Sequence, residues 1–317
     1  MHATTHFRLR RGLVAVAAAA AALTAAAPAT AGSYGWPVRP FDRQHPVRGF
    51  FGDPRIAGED LAHGSFHFGI DVSAPNGTPV YATATGRVVI EAERPDVVSI
   101  LDEANGRRVL AYWHVVPSVR NGDRAVAYRT VLGWIERPWG HVHFAESIDG
   151  RYVNPLRGGA MTPYRDTTRP TIHAFSFERD GASVPQPLRG PIDLVVEAWD
   201  DTPLAVPAPW ADKPVAPALV RWRISGARSL LSAARWTTAA DFRGALPECP
   251  YGSLYARWTR QNHPWGGRGR GRYRFLLAHR FDTSSLSDGA HVLEVEASDT
   301  RGNTARAHVR FRVTNPR

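Results

Sequence analysis

Short stretches of alternating apolar and polar residues run along most of the chain and are separated by turns rich in glycine and proline. The alternation is clearest in residues 192–199, 220–224, 291–299 and 305–313. A period of two is typical of strands with one buried face, whereas few segments show the 3.6-residue period of a helix. The pattern therefore predicts a mainly β protein.

One hairpin is predicted by a specific turn signal. Asn105-Gly106 separates the apolar runs 97–101 and 109–112, and Asn-Gly is the pair that tight type I′ turns favour. We expect two antiparallel strands at this point, with His114 placed at the end of the return strand.

The first 31 residues have the composition of a secretory signal peptide. A basic start with Arg8, Arg10 and Arg11 precedes an alanine-rich apolar run, and small residues predict cleavage after Ala31. A membrane anchor is the weaker alternative, because the apolar run is short and consists mostly of alanine. Since no other long apolar segment exists, the mature protein is expected to lack a membrane span and to be secreted, extracellular or associated with the cell wall.

The mature chain is long enough for two domains, and a polar stretch at 162–170 marks the division. We place the first domain at 32–164 and the second at 165–317. The last two predicted strands flank an Asp-Thr-Arg-Gly-Asn turn and loosely resemble the terminal hairpin of an immunoglobulin-like β-sandwich. A long insertion is predicted near 229–271, and it could lie over the first domain.

Charge and cysteine content narrow the partners only slightly. The formal net charge is +10, or +7 without the three arginines of the signal segment, which favours adsorption to anionic polymers. Arg268, Arg270 and Arg272 lie among glycines, so a solvated loop is a better interpretation than a nucleic-acid site. Cys249 is the single cysteine and cannot form an internal disulfide, and no spacing makes it a metal ligand or a nucleophile.

Two histidines share one face of a predicted strand. In His141-Val142-His143-Phe144 the flanking residues are apolar and β-prone. Side chains alternate across a strand, so His141 and His143 lie on one face while Val142 and Phe144 lie on the other. Two imidazoles placed in this way can bind a metal with one ring and transfer protons with the other.

His67, Asp71 and His114 supply the remaining groups that a metal site with proton-transfer residues needs. His67 and Asp71 precede Pro75 and Gly77, which argue against a helix and indicate a strand or loop end. Zn²⁺ takes imidazole nitrogen and carboxylate oxygen, and a hydrolytic site has three protein ligands with a fourth position open for water. The chain contains enough groups for such a site, with two imidazoles left for proton transfer.

The surroundings of these residues resemble the motifs of the lysostaphin-type (LytM-like) zinc metallopeptidases. Residues 67–88, which begin with His-Phe-Gly-Ile-Asp, resemble the signature of that family. Shorter matches accompany it in the order of the family, at residues 49–55, 112–115, 140–144 and 154–156.

The resemblance implies an antiparallel β-sheet domain of the duplicated hybrid, barrel-like type. It implies one Zn²⁺ ion per domain, bound by His67, Asp71 and His143, and a catalytic pair formed by His114 and His141. It also implies a secreted endopeptidase that cleaves peptide bonds of bacterial peptidoglycan through a water held by the metal, with peptidoglycan peptides as substrate. All of these positions are occupied, which favours an enzyme over the alternative of a non-catalytic wall-binding or regulatory protein on the same fold.

Two departures from the family pattern border the expected groove. Residues 133–140 replace a Gly/Thr-rich loop, and Glu146 stands one position later than the usual glutamate of the family. Trp134 and Trp139 in the replaced segment could line the groove or only support a short loop. The role of the second domain stays open between substrate or wall binding, positioning of the first domain, and spacing.

Overall fold

The computed structural model describes residues 33–55, 64–226, 235–262 and 269–315, so the predicted signal peptide lies outside the described residues. Within these ranges the regular structure consists almost entirely of strands. The prediction of a mainly β protein is confirmed. No helix in the described part of the chain has the length and apolar character needed to span a membrane.

The strands fall into two consecutive groups along the chain. Those of the first half are β1 (Val47–Gly49), β2 (Pro54–Arg55), β3 (Ser65–Phe66), β4 (Ile70–Ser73), β5 (Pro79–Tyr81), β6 (Gly86–Val89), β7 (Val97–Asp102), β8 (Arg108–Trp113), β9 (Val115–Pro117), β10 (Arg124–Ala125), β11 (Val131–Ile135), β12 (His141–Ile148) and β13 (Arg151–Val153). Those of the second half are β14 (Thr171–Arg179), β15 (Ala182–Ser183), β16 (Pro191–Trp199), β17 (Leu219–Gly226), β18 (Thr237–Asp241), β19 (Arg274–Asp282), β20 (Gly289–Ser298) and β21 (Thr304–Val313). Short 3-10 helices lie at Tyr251–Ser253 and Thr283–Ser285.

The first half is built on one large antiparallel sheet. Its strand order is β1-β4-β12-β8-β7-β6-β10, with β13 paired to β12, while β5-β11-β9 form a second, smaller sheet. Because β12 lies between β4 and β8, His143 is opposite Asp71 on one side and Trp113 on the other. Val142 and Phe144 on the opposite face of β12 are fully buried in the apolar core. The alternation predicted for this strand is confirmed.

The hairpin predicted at Asn105-Gly106 is present, but the turn type is not the one expected. β7 and β8 pair antiparallel, and the N–H of Arg108 donates to the Asn105 carbonyl oxygen at 2.8 Å. Neither Asn105 nor Gly106 has the positive φ of a type I′ turn, so the strands are joined by a longer connection. His114 follows β8 directly with a φ of 64°, a left-handed conformation that is uncommon for a residue with a side chain.

The second half contains two four-stranded antiparallel sheets, β15-β14-β16-β19 and β18-β17-β20-β21. Their apolar faces meet, and the rings of Phe177 and Phe311 lie 5.2 Å apart at their centroids. The predicted terminal hairpin is present as β20 and β21. β18 falls inside the segment predicted as an insertion and is an edge strand, so this part of the segment belongs to a sheet. The immunoglobulin-like classification stays a prediction.

The two halves pack directly on each other. The N–H of Ala216 donates to Asp53 Oδ1 at 2.6 Å, and the Tyr255 hydroxyl donates to the Gly52 carbonyl oxygen at 2.8 Å. These four residues are buried, so both hydrogen bonds are shielded from water. Residues 31–317 form one compact unit, and the domain boundary between 164 and 165 stays a prediction.

Candidate metal and catalytic site

Strands β4 and β12 bring three metal-binding side chains together. His67 lies before β4, Asp71 within it and His143 on β12. His67 Nε2 is 2.8 Å from His143 Nδ1, and each of these nitrogens is 3.1 Å from Asp71 Oδ1. The three buried side chains therefore direct their donor atoms at one point. They are the three residues that the family resemblance assigns to the metal.

The protonation state of His67 shows that this cluster fits a cation. Its Nδ1 lies 2.8 Å from the Phe50 carbonyl oxygen, which places the proton of the neutral ring on Nδ1. Burial and the nearby charge of Arg55 lower the pKa of His67 to about 3, so the ring is neutral at pH 7. The lone pair of Nε2 then faces the Asp71 carboxylate with no proton between them. Imidazole nitrogen and carboxylate oxygen are ligands that Zn²⁺ accepts.

Asp71 is held as a carboxylate by its neighbours. Burial alone would raise its pKa, but the neighbouring His141 and the hydrogen bond from its imidazole hold the pKa of Asp71 well below its usual range. Its Oδ2 accepts from Arg55 Nη2 at 2.9 Å, which leaves Oδ1 for the cluster. Gly49 makes room for this arrangement, because a Cβ there would lie 2.5 Å from Oδ2.

The remaining two histidines lie beside the cluster. The rings of His114 and His141 are 4.8 Å apart at their centroids, and His141 Nε2 is 3.3 Å from Asp71 Oδ1. Burial and the neighbouring His141 lower the pKa of His114 to about 3, so His114 is neutral. The structure thus brings all five predicted site residues together, while their individual roles stay predictions.

Trp139 and Asp96 both lie close to His114. The indole of Trp139 stacks on the imidazole at a centroid distance of 4.0 Å and an interplanar angle of 19°, which restrains the plane of the ring. His114 Nδ1 lies 4.0 Å from Asp96 Oδ2 and has no hydrogen-bond partner among the described residues. Trp139 therefore lines the groove, whereas Trp134 is 43% exposed and lies outside the groove lining.

Two groups lie within hydrogen-bonding distance of the same ring nitrogen of His141, one a donor and the other an acceptor. Arg48 Nη2 lies 2.7 Å from Nδ1, and the Trp139 carbonyl oxygen lies 2.9 Å from it. When Arg48 donates to Nδ1, the ring proton is on Nε2; when Nδ1 donates to Trp139, Nε2 is available to accept a proton. Both tautomers have a partner, as expected for a side chain that takes up and releases protons.

The second half of the chain supplies one wall of the groove. Trp210, Gln261 and Asn262 line the same cavity as the five residues, and its volume is about 520 Å³. The Arg48 guanidinium lies over the Trp210 ring, 4.2 Å from its centroid, in a cation–π contact. Because Arg48 also contacts His141, one side chain connects the second half to a predicted catalytic residue.

Sequence reasoning missed most of these surrounding residues. Arg48 and Trp210 belong to no predicted role, and nothing in the sequence points to them. Arg55 lies inside the motif match at 49–55, and that match is the signal that could have identified it. Gln261 lies in the segment that was expected to cover the first domain, and it does line the groove.

The displaced glutamate of the family pattern has a structural role. Glu146 is fully buried. It accepts from the Tyr34 hydroxyl at 2.6 Å and forms an ion pair with Arg157 at 2.6 Å. A buried carboxylate needs such partners to offset the loss of water. Its position one residue later in β12 therefore contributes to packing, and Glu146 does not line the groove.

The donor set of this site fits a divalent ion with bases beside it, which is the arrangement that metallohydrolases use to act on one water molecule. Comparison with known proteins narrows the class. Residues 65–155 match the profile described as Peptidase family M23. This part of the chain is similar to the M23 peptidases, and the resemblance to the lysostaphin-type peptidases is confirmed for it.

Curated relatives and solved structures also match this domain. The chain is 29% identical over 123 residues to the DD-carboxypeptidase/endopeptidase Mpg of Neisseria meningitidis and Neisseria gonorrhoeae, over 37% of this chain and only 27% of the relatives' length. The catalytic domain of lysostaphin from Staphylococcus simulans is 24% identical over 34% of this chain and 87% of that chain, with a TM-score of 0.29. A zinc-containing peptidase from Vibrio cholerae is 24% identical over 40% of each chain, with a TM-score of 0.33.

Proposed function

We propose that the chain is a zinc-dependent endopeptidase that cleaves peptide bonds of bacterial peptidoglycan outside the cytoplasmic membrane. The observation that carries this proposal is the convergence of His67 Nε2, Asp71 Oδ1 and His143 Nδ1 within 3.1 Å of one another, beside two further imidazoles. The M23 match supports the peptidase class, and the DD-carboxypeptidase/endopeptidase relatives support peptidoglycan peptides as the substrate.

His67, Asp71 and His143 would bind one Zn²⁺ ion. When bound, zinc lowers the pKa of a water molecule towards neutrality and polarises the peptide carbonyl. Arg55 fixes Asp71 through its hydrogen bond to Oδ2, and the Phe50 carbonyl oxygen fixes the ring of His67. Such outer contacts keep the ligand atoms directed at the same point and tune metal affinity.

His114 and His141 would move the protons. The neutral ring of His114 accepts a proton from the attacking water, and the Asp96 carboxylate, 4.0 Å from Nδ1, stabilises the imidazolium that results. The His114 imidazolium would then return this proton to the leaving amine, while His141, with its proton on Nε2 when Arg48 donates to Nδ1, would orient the water. Two positioned imidazoles of this kind are the usual means of general acid–base catalysis.

The walls of the groove would bind the peptide. Phe68, Trp113 and Trp139 line the cavity with aromatic side chains, and Gln261 and Asn262 of the second half line it as well. Ligand sites commonly combine an apolar lining with a few polar groups that fix orientation. The second half of the chain therefore contributes to substrate choice in this proposal.

Export and charge complete the proposal. The first 31 residues support secretion with cleavage after Ala31, which delivers the protein to the compartment that contains peptidoglycan. The formal charge of +7 on the mature chain favours adsorption to anionic wall polymers.

Zinc content and peptide release, measured on one preparation, test the proposal. The chain from Gly32 onward is incubated with purified peptidoglycan, and mass spectrometry identifies the products. We expect one zinc per chain, and release that stops with a chelator and returns when zinc is restored. Stoichiometric zinc without release from any wall preparation would contradict the endopeptidase function.

A non-catalytic wall-binding protein on the same fold is the second candidate. One observation favours it: Trp210, Gln261 and Asn262 of the second half line the cleft beside the candidate site. Under this alternative the zinc-loaded chain binds insoluble peptidoglycan, and neither the unaltered chain nor Trp210→Ala releases peptides from it.

A further inference from the structure

Three buried aspartates meet at the junction of the two halves. Asp166 lies in the segment that leads into the second half, Asp200 directly after β16 and Asp299 directly after β20. They are at most 6% exposed, and one carboxylate oxygen from each lies within 4.8 Å of one from each of the others. None of the three lines the groove of the candidate catalytic site.

The hydrogen-bond partners of these carboxylates are uncharged groups. They are Thr168 N and Oγ1, the Tyr164 hydroxyl, Asp201 N, Arg301 N, Asn303 N and the Asn303 side-chain amide. The Arg301 guanidinium lies over the Tyr164 ring at 4.8 Å and donates to the Tyr164 carbonyl oxygen at 3.2 Å. No ion pair to the three aspartates occurs within the described ranges. When all three carboxylates are ionised, their negative charges therefore lack a compensating cation among the described residues.

One carboxylate oxygen of the cluster has no partner. Asp200 Oδ1 accepts from the N–H of Asp201 at 2.9 Å, whereas Oδ2 is buried and receives no hydrogen bond from the described residues. Asp200 and Asp299 also line a narrow cavity that reaches Phe50 and Leu156 of the first half. A buried, unpaired carboxylate oxygen is strongly unfavourable, so this atom points to a ligand that it would bind.

We propose that Asp166, Asp200 and Asp299 bind one calcium ion. Ca²⁺ takes carboxylate, carbonyl and water oxygens in six to eight positions of flexible geometry. Zinc in structural sites prefers cysteine and histidine, which the cluster lacks. Mg²⁺ requires a tight octahedron and usually keeps several waters. A bound calcium ion would supply the missing partner of Asp200 Oδ2 and neutralise the three carboxylates.

Calcium at this point would stabilise the junction. β16 and β20 lie in different sheets, and Asp166 belongs to the segment that connects the two halves. The Asp166 carbonyl oxygen already accepts from the Asn303 side chain at 3.0 Å. One ion would therefore join the connecting segment to both sheets of the second half. This inference does not depend on the proposed peptidase function.

Calorimetric titration with CaCl₂ and thermal unfolding of the zinc-loaded chain from Gly32 onward test the proposal. We expect one Ca²⁺ per chain and, at a hundredfold excess over Kd, a rise in Tm on the order of 5 °C. Asp200→Asn keeps the side-chain volume and removes one charge, so it should lose the calcium response and melt no lower than the unaltered chain in calcium-free buffer. Asp201→Asn is the matched control, because Asp201 is adjacent but exposed and should retain the response.

Terbium luminescence provides a second probe that needs no variant. The Tyr164 hydroxyl is 3.1 Å from Asp166 Oδ2, so Tyr164 should sensitise emission from terbium bound in place of calcium, and added calcium should displace it. The competing explanation for the unpaired Asp200 Oδ2 is that the cluster holds a proton instead of a metal ion, since burial and the other two carboxylates raise the pKa of Asp200 to about 8. The proposal would be overturned if calcium gave no heat of binding and no change in Tm, and if bound terbium gave no sensitised emission. An unchanged response in Asp200→Asn or an equal response to magnesium would also overturn it.

Discussion

Gly49 is a position where one added methyl group should weaken zinc binding without unfolding the protein. It pairs with Asp71 across β1 and β4, and a Cβ there would lie 2.5 Å from Asp71 Oδ2 and 2.8 Å from Arg55 Nη2. Ordinary van der Waals contact begins at 3.4 Å. Gly49→Ala must therefore move the carboxylate oxygen by about 0.9 Å, unless the backbone shifts instead.

A displacement of this size is large for a metal ligand. Removal of a contact that orients a ligand typically lowers metal affinity 10- to 100-fold, and misplacement near 1 Å can lower rates about 100-fold. We expect the zinc affinity of Gly49→Ala to fall about 100-fold, or ~2.7 kcal/mol. Peptide release at limiting zinc should fall in parallel.

Competition with a chromogenic zinc chelator measures the affinity, and thermal unfolding shows whether the variant is folded. Gly106→Ala is the control, because a Cβ at Gly106 would have no atom within 4 Å, and its zinc affinity should equal that of the unaltered chain. Unchanged zinc affinity in a folded Gly49→Ala protein would refute the view that Gly49 makes room for Asp71 and Arg55.

His114→Ala should abolish peptide release while zinc stays near one per chain, because His114 is not among the three converging donors. Zinc analysis and product analysis of the same sample check this. Retained release would show that the proton-transfer assignment is wrong. Trp210→Ala removes a wall of the groove and the cation–π partner of Arg48, so steady-state kinetics should show a raised KM at unchanged zinc content. Burial raises the pKa of Asp53 to about 7, above the unfolded value of about 3.9. The folded state therefore binds this proton more tightly, and stability should fall as pH rises from about 4 to about 7. In Asp53→Asn, the free energy of unfolding should fall by roughly 4 kcal/mol less over this pH range than in the unaltered chain. Urea unfolding of both proteins at both pH values measures the two declines. Equal declines would show that this reasoning is wrong.

The strands could be predicted because their signals are local. In β12 the apolar Val142 and Phe144 alternate with His141 and His143, and a strand necessarily separates such residues onto two faces. The turn type at Asn105 could not be predicted in the same way. Asn-Gly favours a type I′ turn, but it does not require one when the flanking strands end further apart.

The five candidate site residues could be predicted because family motifs identify residue types at set positions. Their convergence depends on the pairing of β12 with both β4 and β8, which the motifs imply and the structure contains. Arg48 and Trp210 could not be predicted, because their contact joins two halves of the chain with no shared motif. The same holds for the three aspartates at the junction, each of which follows or precedes an ordinary strand.

The sequence by itself determined that the chain is mainly β, which faces of its strands are buried, and which histidines and aspartate form the candidate metal and catalytic site. Only the tertiary structure decided that Arg48 lies between His141 and Trp210, and that Asp166, Asp200 and Asp299 meet in the interior. The reason is physical. The two-residue period of the sequence specifies which side of a strand is apolar. The partner of that side is selected by packing across the whole molecule. Contacts between distant loops leave no periodic trace in the chain.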